Sequence, residues 1–310
     1  MKIVNQISRF YNGFSNFGKI LFFIGILLII VILFKNMLPV KEGMSTGASK
    51  KHEYKEGLEV YDGFYSEIYD HLLLSGFKNN FEVGTIINET SPTDVSIIAD
   101  IGCGTGHHVN ELQKHNLKVT GVDISQSMVN MAKQNYPDCD YQVGDAMDPH
   151  LFKMSSLTHI LCLYFTIYFF EDKTRFFTNC MDWLMPGGYL IVHLVDREDF
   201  DPILPPGNPL QIVSAQKYAK ERITSTKVTF NDFIYHSNFD LDTTSDTATF
   251  NEKFKFNDGR VRKQQHKMRM EDSATIVNMA QNCGFILQGK VNMVKCSYDS
   301  QYLYIFVKPS

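Results

Sequence analysis

No Cys-x-x-Cys pair occurs in this sequence. Its six cysteines stand alone at positions 103, 139, 162, 180, 283 and 296, which excludes a zinc ribbon or a paired disulfide framework and suits a reducing compartment. Cys103 has His107 and His108 close by but no second thiol, so no metal is expected. An excess of positive charge is missing as well. The formal net charge is −4, which gives no general signature of nucleic-acid binding. Nothing in the sequence speaks to an oligomeric state. What is plentiful is apolar side chain: 44% of 310 residues, enough for one sizeable α/β domain with an appendage.

The first long apolar run is Ile20 to Phe34, bounded by Lys19 and Lys35 and free of polar side chains. As a helix it measures roughly 22 Å, short of a hydrocarbon core of about 30 Å. Flanking Phe14, Phe17, Met37 and Leu38 extend it, and lysines can snorkel to either interface. A cleaved signal peptide is the rival reading, but Lys35 and the lack of an Ala-x-Ala site weigh against cleavage. The expectation is a basic stretch over 1–19, a retained single-pass transmembrane anchor over 20–38 and a polar linker over 39–56. The membrane is thus an expected partner, with the C-terminal part on the cytosolic side.

The remaining chain, 57–310, is organised around Val95 to Asp123. An apolar run (Val95, Ile97, Ile98, Ala99) leads into Asp100-Ile101-Gly102-Cys103-Gly104-Thr105-Gly106, and Lys118 to Asp123 forms a second run ending in an acid. Strand, glycine turn, helix, strand, acid is the layout that places two strand ends at one crevice, where the acid can reach ribose hydroxyls. A dinucleotide fingerprint needs Gly-x-Gly-x-x-Gly. Here the third glycine comes one residue early, at Gly106.

On these residues the sequence resembles the class I S-adenosylmethionine (SAM) dependent methyltransferases, whose first motif has the form Asp-x-Gly-Cys-Gly-Thr-Gly. The resemblance implies that Asp100 and the turn Gly102, Cys103, Gly104, Thr105 and Gly106 face the methionine half of the cofactor, and Asp123 the ribose. Gly121-Val122-Asp123-Ile124-Ser125 with Ser127-Met128 matches the second motif, which sets Ile124 and Met128 beside the adenine. Asp145, with Ala146 next to it, stands where the family accepts the adenine amine. Tyr65, Ile68, Tyr69 and Leu72 share a helical face. In related enzymes a Tyr-Asp-x-x-Tyr-like helix covers the cofactor, so Tyr61, Tyr65 or Tyr69 is expected at the sulfonium.

Further motifs agree. His159 to Phe165 reads as a strand buried on both faces. It leads to Thr166-Ile167-Tyr168 without an Asn-Pro-Pro-Tyr motif, so no nucleic acid is expected as substrate. Asp172 to Leu184 has helical spacing, and Leu184-Met185-Pro186-Gly187-Gly188 precedes a strand over Tyr189–Val195. After a proline-rich loop from Asp201 comes a β-rich insert, about 197–270. A strand over Val228–Tyr235 and a hairpin about Asn257-Asp258-Gly259 are expected within it. A helix over Ser273–Cys283 and strands over Gly284–Val294 and Gln301–Val307 close the fold.

The expectation is an α/β, doubly wound, seven-stranded Rossmann-like sheet with a β-rich lid inserted after its fifth strand. The cofactor is SAM and the acceptor a small molecule, methylated on nitrogen or oxygen; amino-sugar and glycine N-methyltransferases carry an insert at this point. The alternatives are a membrane-tethered module that binds SAM without turnover, or methylation of a lipid or protein acceptor. Methyl transfer needs positioning above all, and a base only when the nucleophile must lose a proton. His193 is the first candidate, with Tyr168 and His236 behind it, while Asp196 and Glu198 could hold a substrate amine. Lys253, Lys255, Arg260, Arg262, Lys263, Lys267 and Arg269 read as a solvated strand face, or as a surface for an acidic group or anionic lipid.

Overall fold

A computed structural model describes Ser15, Gly18, Lys19, Ile24, residues 51–203, Gln216 and residues 219–310. The chain divides into two units, residues 1–49 and 50–310, and all elements below lie in the second. Its main sheet has seven strands: β2 (Ile97–Ile101), β3 (Lys118–Asp123), β4 (Asp140–Val143), β5 (Leu157–Cys162), β6 (Leu184–Val195), β11 (Ile286–Asn292) and β12 (Gln301–Val307). Their order is β11-β12-β6-β5-β2-β3-β4. The β2 to β6 segment is parallel throughout, and β12 pairs antiparallel with β6 and β11. From β2 the chain winds one way through β3 and β4 and the other way through β5 and β6. A crevice therefore opens beyond the carboxyl end of β2.

Among the described residues six helices accompany the sheets: α1 (Gly63–Leu73), α2 (Gly76–Thr90), α3 (His107–Lys114), α4 (Gln126–Asn135), α5 (Lys173–Trp183) and α6 (Ser273–Asn282). Five are started by a side chain that accepts a backbone N–H of the first turn: Asp62, Ser75, Ser125, Asp172 and Asp272. Such caps satisfy donors that the helix itself leaves orphaned. The sixth, α3, begins at Gly106 in a left-handed conformation. The apolar face of α5 buries Phe176, Phe177, Cys180 and Trp183 completely, and the Trp183 indole donates to the Pro149 carbonyl at 2.9 Å.

A second sheet, order β1-β10-β9-β8-β7, caps the crevice. It comprises β7 (Ser225–Thr229), β8 (Phe233–Asp242), β9 (Thr247–Phe256) and β10 (Val261–Arg269), joined by β1 (His52–Glu56). Its strands are antiparallel except that β1 runs parallel to β10, His52 beside Val261. Alternation decides its faces. Tyr235, Phe254 and Met268 are buried inward, whereas Lys227, Lys253 and Lys263 are exposed. Phe64 of α1 meets Phe254 and Phe256 at 5.3 and 5.5 Å.

Several expectations change. The anchor over 20–38 falls almost wholly outside the described residues. Among the described residues no helix is long and apolar enough to cross a membrane. The expected single-pass membrane location, and the membrane as partner, are corrected on that finding; the longest described helix, α2, has 15 residues and buries Lys78, Asn79 and Glu82 among its apolar side chains. Of the linker, 52–56 is not a tether but strand β1, because its backbone completes the edge of β10. The strand expected over Val228–Tyr235 is two strands turning at Asn231 and Asp232. Strand β6 begins at Leu184 and includes the Pro186-Gly187-Gly188 stretch, where Gly187 donates to the Lys308 carbonyl at 2.9 Å. Most of the proline-rich loop, 204–209, lies outside the described residues.

Candidate active site

Beyond β2 lies a cavity of about 860 Å³, closed on one side by the main sheet and on the other by α1 and the second sheet. At the sheet edge three glycines have positive φ: Gly102 (72°), Gly104 (53°) and Gly106 (89°). That lets Gly102 N and Cys103 N both reach the Val122 carbonyl, at 2.8 and 3.0 Å. A Cβ on Gly102 would lie 2.5 Å from the Thr166 side chain. Asp123 ends β3 and accepts from Gly104 N at 3.0 Å and Ser125 N at 2.8 Å. Burial raises its pKa, opposed by these two bonds. Both its oxygens keep a free lone pair.

Gly102, Gly104, Asp123, Ile124, Met128, Asp145, Ala146, Tyr65 and Tyr69 line the cavity. Tyr61 does too, as C-cap of a single 3₁₀ turn between β1 and α1. Burial raises the pKa of Tyr61, Tyr65 and Tyr69, keeping the phenols neutral. Asp145 bends the chain by accepting from Met147 N at 2.8 Å. Asp100, Cys103, Thr105 and Gly106, the other expected cofactor contacts, are not among the lining residues. Thr105 instead donates to Asp70 at 2.6 Å, Gly106 starts α3, and the Cys103 thiol packs toward Gly121. Asp100 is 1% exposed, with Oδ2 unpartnered. Burial pushes it up to about 7.

The two expected catalytic residues, His193 and Tyr168, do not line the cavity either. Tyr168 is fully buried and its hydroxyl accepts from Val195 N at 2.9 Å, a structural bond. His193 is fully buried behind Tyr164 and Phe165, ring centroids 6.1 and 6.3 Å away. Burial pushes it down to about 4, and its Nδ1 is 3.8 Å from Glu82 Oε1. Glu82 is the centre of a buried network: Lys78 Nζ and His108 Nε2 sit 2.8 and 2.7 Å from its Oε2. Burial opposes the charge on Glu82, but Lys78 and His108 hold its pKa well below the usual range. His236 lies on the outer face of the lid, and Asp196 and Glu198 line a separate small pocket.

The sequence reading missed the chemistry of the lid's inner face. There His266 lines the cavity, with Nε2 2.7 Å from Glu252 Oε2 and Nδ1 3.2 Å from the Tyr61 hydroxyl. Glu252 is 2% exposed and also accepts from Tyr235 (2.6 Å) and Gln264 (2.7 Å). Arg262, read as part of a solvated face, is buried and grips both oxygens of Asp62 at 3.0 and 2.8 Å. A usable signal existed: Arg262, Gln264, His266 and Met268 alternate on one strand face opposite Glu252. Tyr164, Phe165, Phe169 and Phe250 complete an aromatic chamber.

Acids outnumber cations around the cavity: Asp123 and Asp145 stand at the sheet edge and Glu56, Glu171, Asp172 and Asp201 elsewhere, with Arg175 and Lys267 as lining cations among the described residues. That donor set fits a ligand with hydroxyls, an amine and a positive centre rather than a diphosphate. Among the described residues no group of three metal-ligating side chains exists.

Residues 99–192 match the family model of a methyltransferase domain. The chain is 26% identical over 145 residues to the dTDP-4-amino-2,3,4,6-tetradeoxy-D-glucose N,N-dimethyltransferase of Saccharopolyspora spinosa, covering 45% of this chain and 57% of that protein. It is 32% identical over 104 residues to the ubiquinone biosynthesis O-methyltransferase of Coxiella burnetii, covering 32% and 44%. The chain thus spans about half the length of these curated relatives. The solved sugar N-methyltransferase KedS8 from Streptoalloteichus superposes with a TM-score of 0.58 at 16% identity, over 88% of this chain and 99% of that one; the likeness is one of fold.

Proposed function

With residues 99–192 carrying a methyltransferase domain, we propose that this protein transfers the sulfonium methyl of SAM to a nitrogen or oxygen atom of a small molecule. The observation that carries this reading is a single cavity joining an acid-lined sheet edge to an aromatic chamber. Asp123 takes the ribose hydroxyls through its free lone pairs, and Asp145 accepts from the adenine amine. Ile124 and Met128 flank the base. Tyr65 and Tyr69 stand at the sulfonium, where neutral phenol rings attract a cation by their faces. Asp100, Cys103, Thr105 and Gly106 shape the turn from behind.

The acceptor enters under the lid formed by 225–269 and β1. Transfer is an in-line displacement, and holding the reactants in attack geometry is worth roughly 7 to 11 kcal/mol. Aromatic walls exclude water from that line. The relatives named for an amino-sugar and for ubiquinone biosynthesis support small acceptors of either atom type. The test is calorimetric titration of the full chain with SAM and its demethylated product, beside Asp123→Ala and Asp145→Ala. Micromolar binding lost in both variants is the expected result. A folded wild-type chain that binds neither ligand overturns the reading.

A further inference from the structure

The lid supplies more than cover. Glu252, His266 and Tyr61 form a hydrogen-bonded chain from the buried centre of the second sheet to the cavity, with links of 2.7 and 3.2 Å. Glu252 has three neutral or weakly basic partners, Tyr235, Gln264 and His266, and no lysine or arginine. Burial works against its charge, but the hydrogen bonds from His266, Tyr235 and Gln264 hold its pKa below the ordinary value. An ionised carboxylate accepts only, so His266 must donate from Nε2. In the neutral imidazole that leaves Nδ1 as an acceptor, to which the Tyr61 hydroxyl donates. Such a carboxylate fixes the tautomer of an imidazole and stabilises its positive charge once a second proton arrives.

Tyr61 is well held at the other end. Its carbonyl accepts from Ser125 Oγ at 2.7 Å, next to Asp123, and its ring packs edge-on against Tyr65, Phe169 and His266 at 5.5 to 6.1 Å between centroids. The groups facing His266 are Tyr61 and Tyr65 from the start of the domain, Phe169 after β5, and Glu252 and Phe250 from β9. None is a fixed cation, so an imidazolium formed here meets no opposing charge among them. The chamber wall is aromatic and apolar: Phe169, Phe170, Phe250 and Met268.

Building on the function proposed above, we propose that Tyr61 and His266 form a proton relay that deprotonates a hydroxyl on a flat, apolar acceptor, with Glu252 as positioning residue. In the step, the acceptor oxygen forms a bond to the methyl carbon as the carbon–sulfur bond breaks, its electron pair leaving on the sulfide. The acceptor proton passes to the Tyr61 oxygen while the Tyr61 proton passes to His266 Nδ1. Glu252 then faces an imidazolium, which returns its proton to water after release.

The test uses phenols of graded acidity as probe acceptors, the full chain, and SAM, with His266→Asn, Tyr61→Phe and Glu252→Gln. SAM affinity, read by calorimetry, stays within a factor of about two in all three, whereas general base loss lowers kcat by roughly 100-fold or more on weakly acidic phenols. Phenols already ionised at the working pH lose little. Nitrogen NMR of His266 shows the Nε2–H tautomer in wild type and a tautomer mixture in Glu252→Gln, a readout that a merely structural role would not move. An equal loss across the phenol series, no loss in Tyr61→Phe, or SAM binding without transfer to any phenol overturns the relay. Failure of wild type to bind SAM overturns the underlying function instead.

Discussion

The two walls of the cavity are built by opposite means. At the sheet edge the decisive bonds join near neighbours: Gly104 N to Asp123 across 19 positions and Ser125 N to Asp123 across two. On the lid side Tyr61 meets His266 across 205 positions and Asp62 meets Arg262 across 200. The first wall is a property of one strand-turn-helix unit. The second exists only when both ends of the domain have come together. The sheet-edge wall can therefore stay constant while the lid changes.

The buried acids offer the strongest test of this contrast. Glu82, under the sheet wall, faces the buried cation Lys78 at 2.8 Å, so Glu82→Leu strands a charge and lowers unfolding stability by about 3 to 5 kcal/mol. Glu252 has no lysine or arginine partner, and Glu252→Gln costs roughly 1 to 3 kcal/mol, the loss of polar bonds alone. Denaturant unfolding of both variants decides it. Equal losses would break the distinction between the walls.

Acid sensitivity sharpens it next. Burial pushes His159 on β5 and His193 on β6 down to about 4, against about 6.5 in an unfolded chain. Between those values the unfolded chain binds protons that the folded sheet refuses, so stability rises as pH rises through this window and is lost on acidification. Asp100 acts in reverse, because burial pushes it up to about 7 and the folded chain keeps a proton that the unfolded one has released. Asp100→Asn removes that opposition and about doubles the slope of stability against pH. A slope that does not change would show that Asp100 is ionised in the fold.

How far the sequence could be read follows the same division. The glycine turn, Asp123, Ser125 and the cap residues are legible because each acts within its own segment. The order of the parallel strands β2 to β6 follows from winding rules once the strands are placed, whereas the place of β1 beside β10 does not. His193 and Tyr168 stand apart from the cavity, because a residue near a strand's carboxyl end can point into the sheet as readily as into the crevice. Arg262 and His266 hid in what read as a charged strand face. Only the pairing of β10 with β9 and β1 shows that their side chains alternate inward. The apolar run at 20–34 had no long-range check of this kind.

Smaller effects separate the walls more finely. Gly102→Ala forces a side chain into a left-handed backbone, φ 72°, a strain of roughly 1 to 2 kcal/mol, besides displacing Thr166. SAM affinity is expected to fall about tenfold or more by calorimetry, and an unchanged value would mean that the turn does not shape the cofactor end. On the lid's outer face Lys227, His236, Lys253 and Lys263 stand directly opposite one another across four strands. Like charges so placed repel, and Lys253→Glu should stabilise the fold by about 0.2 to 1 kcal/mol, an advantage that fades in high salt. No gain at low salt would count against unrelieved repulsion in that row.

Strand β1 lies beside β10, joining His52 to Val261 and Glu56 to Gln265. On the ribosome this pairing has no partner until the strand some 200 residues later has been made, while β2 to β6 and their helices are already available to assemble. The order of synthesis thus favours an order of folding in which the β2 to β6 wall forms before the lid, in keeping with the slowness of contacts that close long loops. A nascent chain stalled before Val261 would present Tyr61 and the whole aromatic chamber to the cytosol or to a chaperone.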